Sequence, residues 1–339
     1  MRRLGELGVL GLRVSEQWGG VDGSYVLAGI AAEEIARGDH NVTYFVQLAA
    51  IAGDLIGRYG SDMLRAELLP GVASGDALVA FGLTEPGAGS DAAAIRTRAE
   101  PDGDDWVVSG EKASITFAGM ADYCIVFARM GDAGIGAVVV PLDGPGVTRR
   151  VYDGAGSKLA QRGSLYFEQV RVPRARQLGE TGRGFVQAME AFDYNRALIA
   201  LACLGTAQQS LDETVAYARE RRTFGKPLAQ HEGYAFQIAE LATRLHTARL
   251  LAYETLWLRD RDRPHTREAA MVKWLAPKTA ADTIHSCMVL NGWMGYDNEL
   301  PHAQRLRDVI GLEIGDGTPE IMKGVVAREI FGREFVSWR

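Results

Sequence analysis

A carboxylate sits between two glycines near the end of the chain, in Gly315-Asp316-Gly317, and Thr318, Pro319, Glu320 and the run IMKGVVAREIFGRE follow it. Thr318 suits the N-cap of a helix and Pro319 its first position, so the spacing predicts Asp316 on a tight turn just ahead of a helix. Glycine on either side lets backbone come close to a ligand where a Cβ would clash. A carboxylate presented that way in a pocket is equipped for proton abstraction. The same residues also describe an ordinary Asp-Gly turn with a capped helix, and this stretch alone leaves both readings open.

The second candidate is FGLTEPGAGSDAAAI, which holds Gly87-x-Gly89-x-x-Ala92 and superficially matches a dinucleotide fingerprint. That fingerprint needs a strand before it and a helix after it in a βαβ unit, whereas Pro86 interrupts the approach and strand-like runs follow. A glycine-rich turn offering backbone N–H groups to a phosphate or a ring remains. Arg221 and Arg222 read as a solvated helix end, and Asp193 as a charge near a helix N-terminus. His231 reads as a cap or surface residue, Trp293 and Tyr296 as core aromatics, and Thr116 as strand packing. Cys124, Cys203 and Cys287 are far apart with no C-x-x-C partner, so no metal site or disulfide framework is expected.

The elements that must position these residues follow from length and pattern. A chain of 339 residues is too long for one simple core and predicts two or three packed domains. The net charge of −6, with Lys and Arg scattered, gives nucleic-acid binding no electrostatic support. No run approaches the roughly 20 apolar residues of a membrane span. The cysteine pattern favours a reducing cytoplasm, and MRRLGELGVLGLRV reads as an amphipathic helix already under way, with the first helix of the domain missing.

Residues 1–80 carry three- and four-residue apolar spacing, as in YVLAGIAAEEIARG and VTYFVQLAAIAGDLIGRYG, with a short helix in SDMLRAELLPGVASG stopping near Pro70. Residues 81–178 change to short runs rich in Val, Ile, Phe and Tyr between Gly, Pro and Asp turns, the pattern of an antiparallel β-domain. From 179 to 339 long Ala-rich helices return. FQIAELATRLHTARLLAYETLWLRD places Ile238, Leu241, Leu245, Ala248 and Ala252 on one face, as in a four-helix bundle. The fold class expected is α+β, ordered helical domain, β-domain, helical bundle.

The order TEPGAGSD (84–91), GDDWVVSGEKASIT, RRTFGKPL (221–228) and GDGT (315–318) resembles the acyl-CoA dehydrogenases over essentially the whole chain. The resemblance implies a homotetramer with one FAD per subunit, an acyl-CoA substrate and an electron-transfer flavoprotein as partner. It implies that Phe81 to Ser90 line the flavin, with Leu83 and Thr84 near the ring, Gly89 in the turn and Ser90 near pantetheine or diphosphate. Ser114, Ile115 and Thr116 would form a second lining strand. Arg221, Arg222, Thr223 and Phe224 would reach the FAD of a neighbouring subunit, as would Val289 to Trp293 with Gly292. Thr318 and Glu320 would also serve the cofactor. Asp193 to Arg196 and Gly317 would touch the acyl-CoA, and Asp316 falls where the family keeps its catalytic Glu.

Three departures bear on the substrate. Asp316 in place of Glu shortens the base's reach by one methylene, about 1.5 Å. Ser114 stands where the family usually has a bulky aromatic, and VLNGWMG carries Trp293 where a Gly is usual. A shorter base and a wider floor beside the flavin suit an α-carbon that is branched or in a ring, and the C-terminal run resembles the subgroup acting on cyclohexane-carboxyl-CoA. A short- or branched-chain dehydrogenase, a CoA-ester reductase and a non-dehydrogenating flavoprotein of the same fold are the alternatives.

Overall fold

The computed structural model describes residues 1–336. Four helices come first: α1 (Arg2–Glu6), α2 (Tyr25–Gly38), α3 (Thr43–Tyr59) and α4 (Asp62–Ser74). The opening run is not one amphipathic helix. It is helical only over α1, Gly8 takes φ +76°, and Leu10, Leu12 and Val14 are buried from irregular backbone. Glycines at 5, 8 and 11 weaken a helix there. Nor does α4 stop at Pro70: it runs on to Ser74 and ends at Gly75 in the left-handed conformation. Leu64, Leu68, Leu69 and Val72 are buried on its inner face, and their packing holds the helix through the proline.

Eight strands follow: β1 (Val79–Gly82), β2 (Arg98–Asp102), β3 (Asp105–Ile115), β4 (Tyr123–Arg129), β5 (Ile135–Pro141), β6 (Val147–Val151), β7 (Gly163–Pro173) and β8 (Gln177–Leu178). They form one sheet in the order β6-β7-β3-β2-β4-β5-β8, with β1 on β4. Most pairs are antiparallel, in keeping with the short connections between strands, while β1 and β2 both run parallel to β4, with Phe81 opposite Ile125 and Arg98 opposite Arg129. Helices then return: α5 (Gly184–Glu220), a small hairpin of β9 (Arg222–Thr223) and β10 (Lys226–Pro227), α6 (Glu232–Asp260), α7 (Thr266–Leu290), α8 (Trp293–Tyr296), α9 (His302–Ile314) and α10 (Pro319–Phe331).

By its contacts the chain forms two compact units, residues 1–28, 44–154 and 158–192 in one and residues 29–43, 155–157 and 193–339 in the other. The core of the first includes Ile125, Val126, Phe127 and Val138 to Val140, with Phe45 stacked on Phe117 at 4.5 Å. In the second, Leu241, Leu245, Ala248 and Ala252 of α6 are buried as their spacing predicts, Ile238 less fully. Gly29 of α2 lies so close to this core that a Cβ would come within 2.4 Å of Leu256 and 2.8 Å of Leu201. Glu33, one turn on, accepts hydrogen bonds at 2.6 Å from both Arg249 and Tyr253 of α6.

Candidate active site

In the sheet unit, the segment after β1 is fastened to β3. Ala113 N–H donates to the Thr84 carbonyl at 2.8 Å, and the Lys112 ammonium donates to the Leu83 carbonyl at 2.9 Å and to Glu85 Oε1 at 2.7 Å. The Glu85 carboxylate also accepts the N–H groups of Arg96 and Thr97 at 2.6 and 2.9 Å. Burial pushes the Glu85 carboxyl up, but these donors outweigh it and hold it below the usual carboxylate value. Burial lowers the Lys112 ammonium to about 8 against the pull of Glu85.

Leu83 and Thr84 are thereby held against the end of β3, at the residues that lead into Ser114, Ile115 and Thr116. Phe81 packs against Phe127 and Phe192 at 4.8 and 5.3 Å. Gly89 and Ser90 stand exposed in the turn. Ser114 is also exposed, at φ +58° where the pairing of β3 with β7 slips between Lys112 and Ile115. A bulge of this kind re-aims a side chain off the strand's alternation. Thr116 accepts from Arg162 at 3.5 Å. A short 3-10 turn, Ala92–Ala94, and then β2 follow the Gly87-x-Gly89 stretch, so the dinucleotide fingerprint lacks its helix.

In the helical unit, Thr318 caps α10 by accepting the Ile321 N–H at 3.5 Å, and Pro319 opens the helix. Asp316 takes φ +57° and Gly317 φ +113°, a left-handed pair that Asp tolerates better than most residues. Asn195 of α5 donates its side-chain amide to Asp316 Oδ2. Arg196 donates from Nε to the Asp316 carbonyl at 3.3 Å and from its terminal nitrogen to Asp193 Oδ1 at 2.6 Å. Asp193 Oδ2 accepts the Thr266 hydroxyl at 2.6 Å. Asp193 is thus a buried mid-helix partner of Arg196, not a charge near a helix N-terminus. Gly317 contributes its carbonyl, which accepts from Lys273 at 3.0 Å. Glu320 stands exposed on the first turn of α10.

The remaining expected residues form an exposed set that shares no hydrogen bond with the Asp316 cluster among the described residues. Arg221 follows α5, Arg222 donates to the Gly225 carbonyl at 2.8 Å, and Thr223 meets His231 Nε2 at 3.2 Å. Phe224 at the hairpin tip is 97% exposed. Gly292 takes φ +63° ahead of α8. Trp293 and Tyr296 are not core aromatics, being 79% and 68% exposed while packing on each other at 5.5 Å.

Asn195 lies inside the Asp193 to Arg196 segment expected at the acyl-CoA, but its bond to Asp316 and the places of Lys112 and Lys273 in these clusters were not legible in single motifs. A signal for Lys273 existed, since it sits on the Ala-rich stripe of α7 at helical spacing from Ala269, Ala270, Ala276 and Ala280. A lone charge on an apolar stripe marks a buried ion with a dedicated partner.

Models of the acyl-CoA dehydrogenase N-terminal, middle and C-terminal domains match residues 1–76, 80–170 and 182–331. The chain belongs to the acyl-CoA dehydrogenase family, with FAD as its cofactor. It is 39% identical over 334 residues to the short-chain specific acyl-CoA dehydrogenase, mitochondrial, of Bos taurus, covering 96% of this chain and 81% of that one. A glutaryl-CoA dehydrogenase from Mycobacterium smegmatis in complex with FADH2 superposes with a TM-score of 0.94 at 30% identity, over 100% of this chain and 87% of that one. A chain in the structure of the electron transferring flavoprotein of Acidaminococcus fermentans gives 0.94 at 30% identity, over 97% and 88%.

The residues present fit a flavin dinucleotide. The sheet unit offers the exposed or half-buried hydroxyls of Thr84, Ser90, Ser114 and Thr116 beside a pinned backbone segment. The hairpin offers exposed guanidinium groups for a diphosphate and, in Phe224, an apolar face for a ring.

Proposed function

We propose that this protein catalyses FAD-dependent α,β-dehydrogenation of an acyl-CoA thioester, with Asp316 as the base. The observation that carries the reading is the cluster around Asp316. A carboxylate on a left-handed turn is oriented by the Asn195 amide, beside an Arg196–Asp193 pair suited to a polar substrate arm.

Asp316 removes the α-proton, and the C–H electron pair becomes the new carbon–carbon double bond as the β-carbon gives up hydride. FAD, when bound, supplies the acceptor for that hydride. A thioester α-proton is too weakly acidic for a carboxylate in water, so charge growing on the carbonyl oxygen needs a donor. The Asp316 backbone N–H finds no backbone acceptor among the described residues and is assigned that role. Leu83, Thr84, Gly89, Ser90, Ser114, Thr116, Arg221, Thr223, Phe224, Gly292, Thr318 and Glu320 are assigned to the cofactor together with Phe81. Ser90, Asp193, Arg196 and Gly317 are assigned to the acyl-CoA.

The proposed acyl group has a branched or ring α-carbon of the cyclohexane-carboxyl type, because the base is one methylene short and Ser114 leaves room. A short linear acyl group is the second reading, favoured by the similarity to the bovine short-chain enzyme. A homotetramer is proposed on the exposed aromatics of the helical unit, and an electron-transfer flavoprotein partner on the similarity to the A. fermentans chain. Cytoplasm is the proposed location, in keeping with three free, buried cysteines.

The test is an anaerobic single turnover of holoenzyme with an α-deuterated saturated thioester, read by mass spectrometry. Wild type should yield an enoyl product lacking one α-deuterium, and Asp316→Asn should yield none. Product formation by the Asn variant at the wild-type rate would remove Asp316 from the chemistry.

A further inference from the structure

We propose that Lys273 is the positioning residue of the base: from α7 it clamps the turn that carries Asp316, by donating to carbonyls on both sides of it. This rests on Asp316 being the base.

The Lys273 side chain has no exposure, and the residues one and two turns away on its own face, Ala269, Ala270, Ala276 and Ala280, are small and almost wholly buried. An ammonium left there without partners would cost far more than the packing of its stem returns. Its Nζ instead donates to the Leu312 carbonyl at 2.7 Å and to the Gly317 carbonyl at 3.0 Å. Leu312 lies in the last turn of α9, whose final carbonyls have no intrahelical donor and carry the negative end of the helix dipole. Gly317 directly follows Asp316. One cation therefore ties the end of α9 to the far side of the turn and fixes the backbone of the four residues between.

That backbone needs a tie. Asp316 and Gly317 both hold positive φ. The other restraints are the Arg196 bond to the Asp316 carbonyl, Gly315 N–H on Gly311 at 3.1 Å and the Thr318 cap. The charged groups facing Lys273 are Asp316, Glu313 and Arg196, and the neutral Cys203 thiol lies beside it. Burial lowers the ammonium to about 8, and Asp316, Cys203 and Glu313 oppose the shift while Arg196 adds to it. Since a base must meet its proton within hydrogen-bond reach, release of this tie should cost rate more than binding.

The test uses flavinated holoenzyme of wild type, Lys273→Gln, which keeps an amide donor without charge, and Lys273→Met, which keeps the shape without donors. Hydrogen exchange followed over the peptide 311–321 should show protection falling about hundredfold or more in the Met variant, the effect of losing two charge-assisted bonds. Exchange in α6 should not change. With a saturated thioester that wild type oxidises, kcat should fall about tenfold to hundredfold while KM stays within about threefold. Lys273→Arg, which can still donate to two carbonyls, should recover part of the loss.

Wild-type protection of 311–321 in both neutral variants would overturn the clamp. So would activity lost only in proportion to lost flavin, which marks a purely structural role. If Lys273→Met does not fold, Lys273→Gln carries the same comparison. If wild type oxidises no thioester, the dehydrogenase reading fails by itself, and the exchange measurement still decides whether Lys273 holds the turn.

Discussion

Asn195 donates its side-chain amide to the Asp316 carboxylate across 121 residues of sequence. Because a carboxylate only accepts, the amide nitrogen must face it, and this leaves Asn195 Oδ1 buried with no partner among the described residues. An orphaned buried acceptor costs about 1–3 kcal/mol. The amide is thereby committed to orienting the candidate base.

Asn195→Ala should therefore separate activity from stability. The orienting bond to a charged group contributes about 1.5–3 kcal/mol, so kcat should fall about tenfold to hundredfold, with KM for the thioester little changed. The melting temperature should stay within a few degrees, because the orphaned acceptor goes with the bond. Equal losses in stability and rate would show a structural amide.

Asp316→Glu lengthens the candidate base by about 1.5 Å. The variant should lose kcat/KM for ring and α-branched thioesters and gain it for linear short chains. A uniform loss across a substrate panel would detach the Asp from substrate choice.

The Glu85–Lys112 pair gives stability a defined pH dependence. Removing one partner of a buried pair costs about 3–5 kcal/mol, so Glu85→Gln should destabilise the sheet unit and loosen the Leu83-Thr84 segment. Donors hold the Glu85 carboxyl below its ordinary value of 4.5, so its contribution is full above that pH and is lost as pH falls through the lowered value. Lys112 has the other sign. Its ammonium is lowered to about 8 from 10.5, so the cost of burying its charge is present below about pH 8 and is relieved between about 8 and 10.5. In thermal melts the gap between wild type and Glu85→Gln should narrow below pH 4.5, and wild type should gain on Lys112→Met above pH 8. Flat differences across both windows would contradict this.

Phe224 and Trp293 leave large apolar surfaces in water on a unit with a well-buried core. If they serve assembly and cofactor retention, Phe224→Ser and Trp293→Ser should lower flavin content and yield smaller species by light scattering. Unchanged mass and flavin in both variants would place the interface elsewhere.

The sequence revealed what local chemistry dictates. Thr318 and Pro319 announced the α10 cap, the α6 stripe announced its buried face, and dense β-branched runs announced the sheet. It failed where packing overrides a local preference, as when α4 carries Pro70 through its interior. It failed also at Trp293 and Tyr296, whose aromatic character reads as core but which stand exposed. The partners of Asp316 were the least legible. Asn195 and Lys273 lie on helices far away in sequence, and no spacing rule brings an amide from α5 and an ammonium from α7 to one turn.

The central claim is tested most directly by anaerobic titration of the flavinated protein with linear, methyl-branched and cyclohexane-carboxyl thioesters, following bleaching of the flavin band, with Asp316→Asn beside wild type. The account predicts rapid bleaching by the ring thioester, slower bleaching by linear chains and none in the Asn variant. Equal bleaching in the Asn variant, or none by any thioester in fully flavinated wild type, would contradict it.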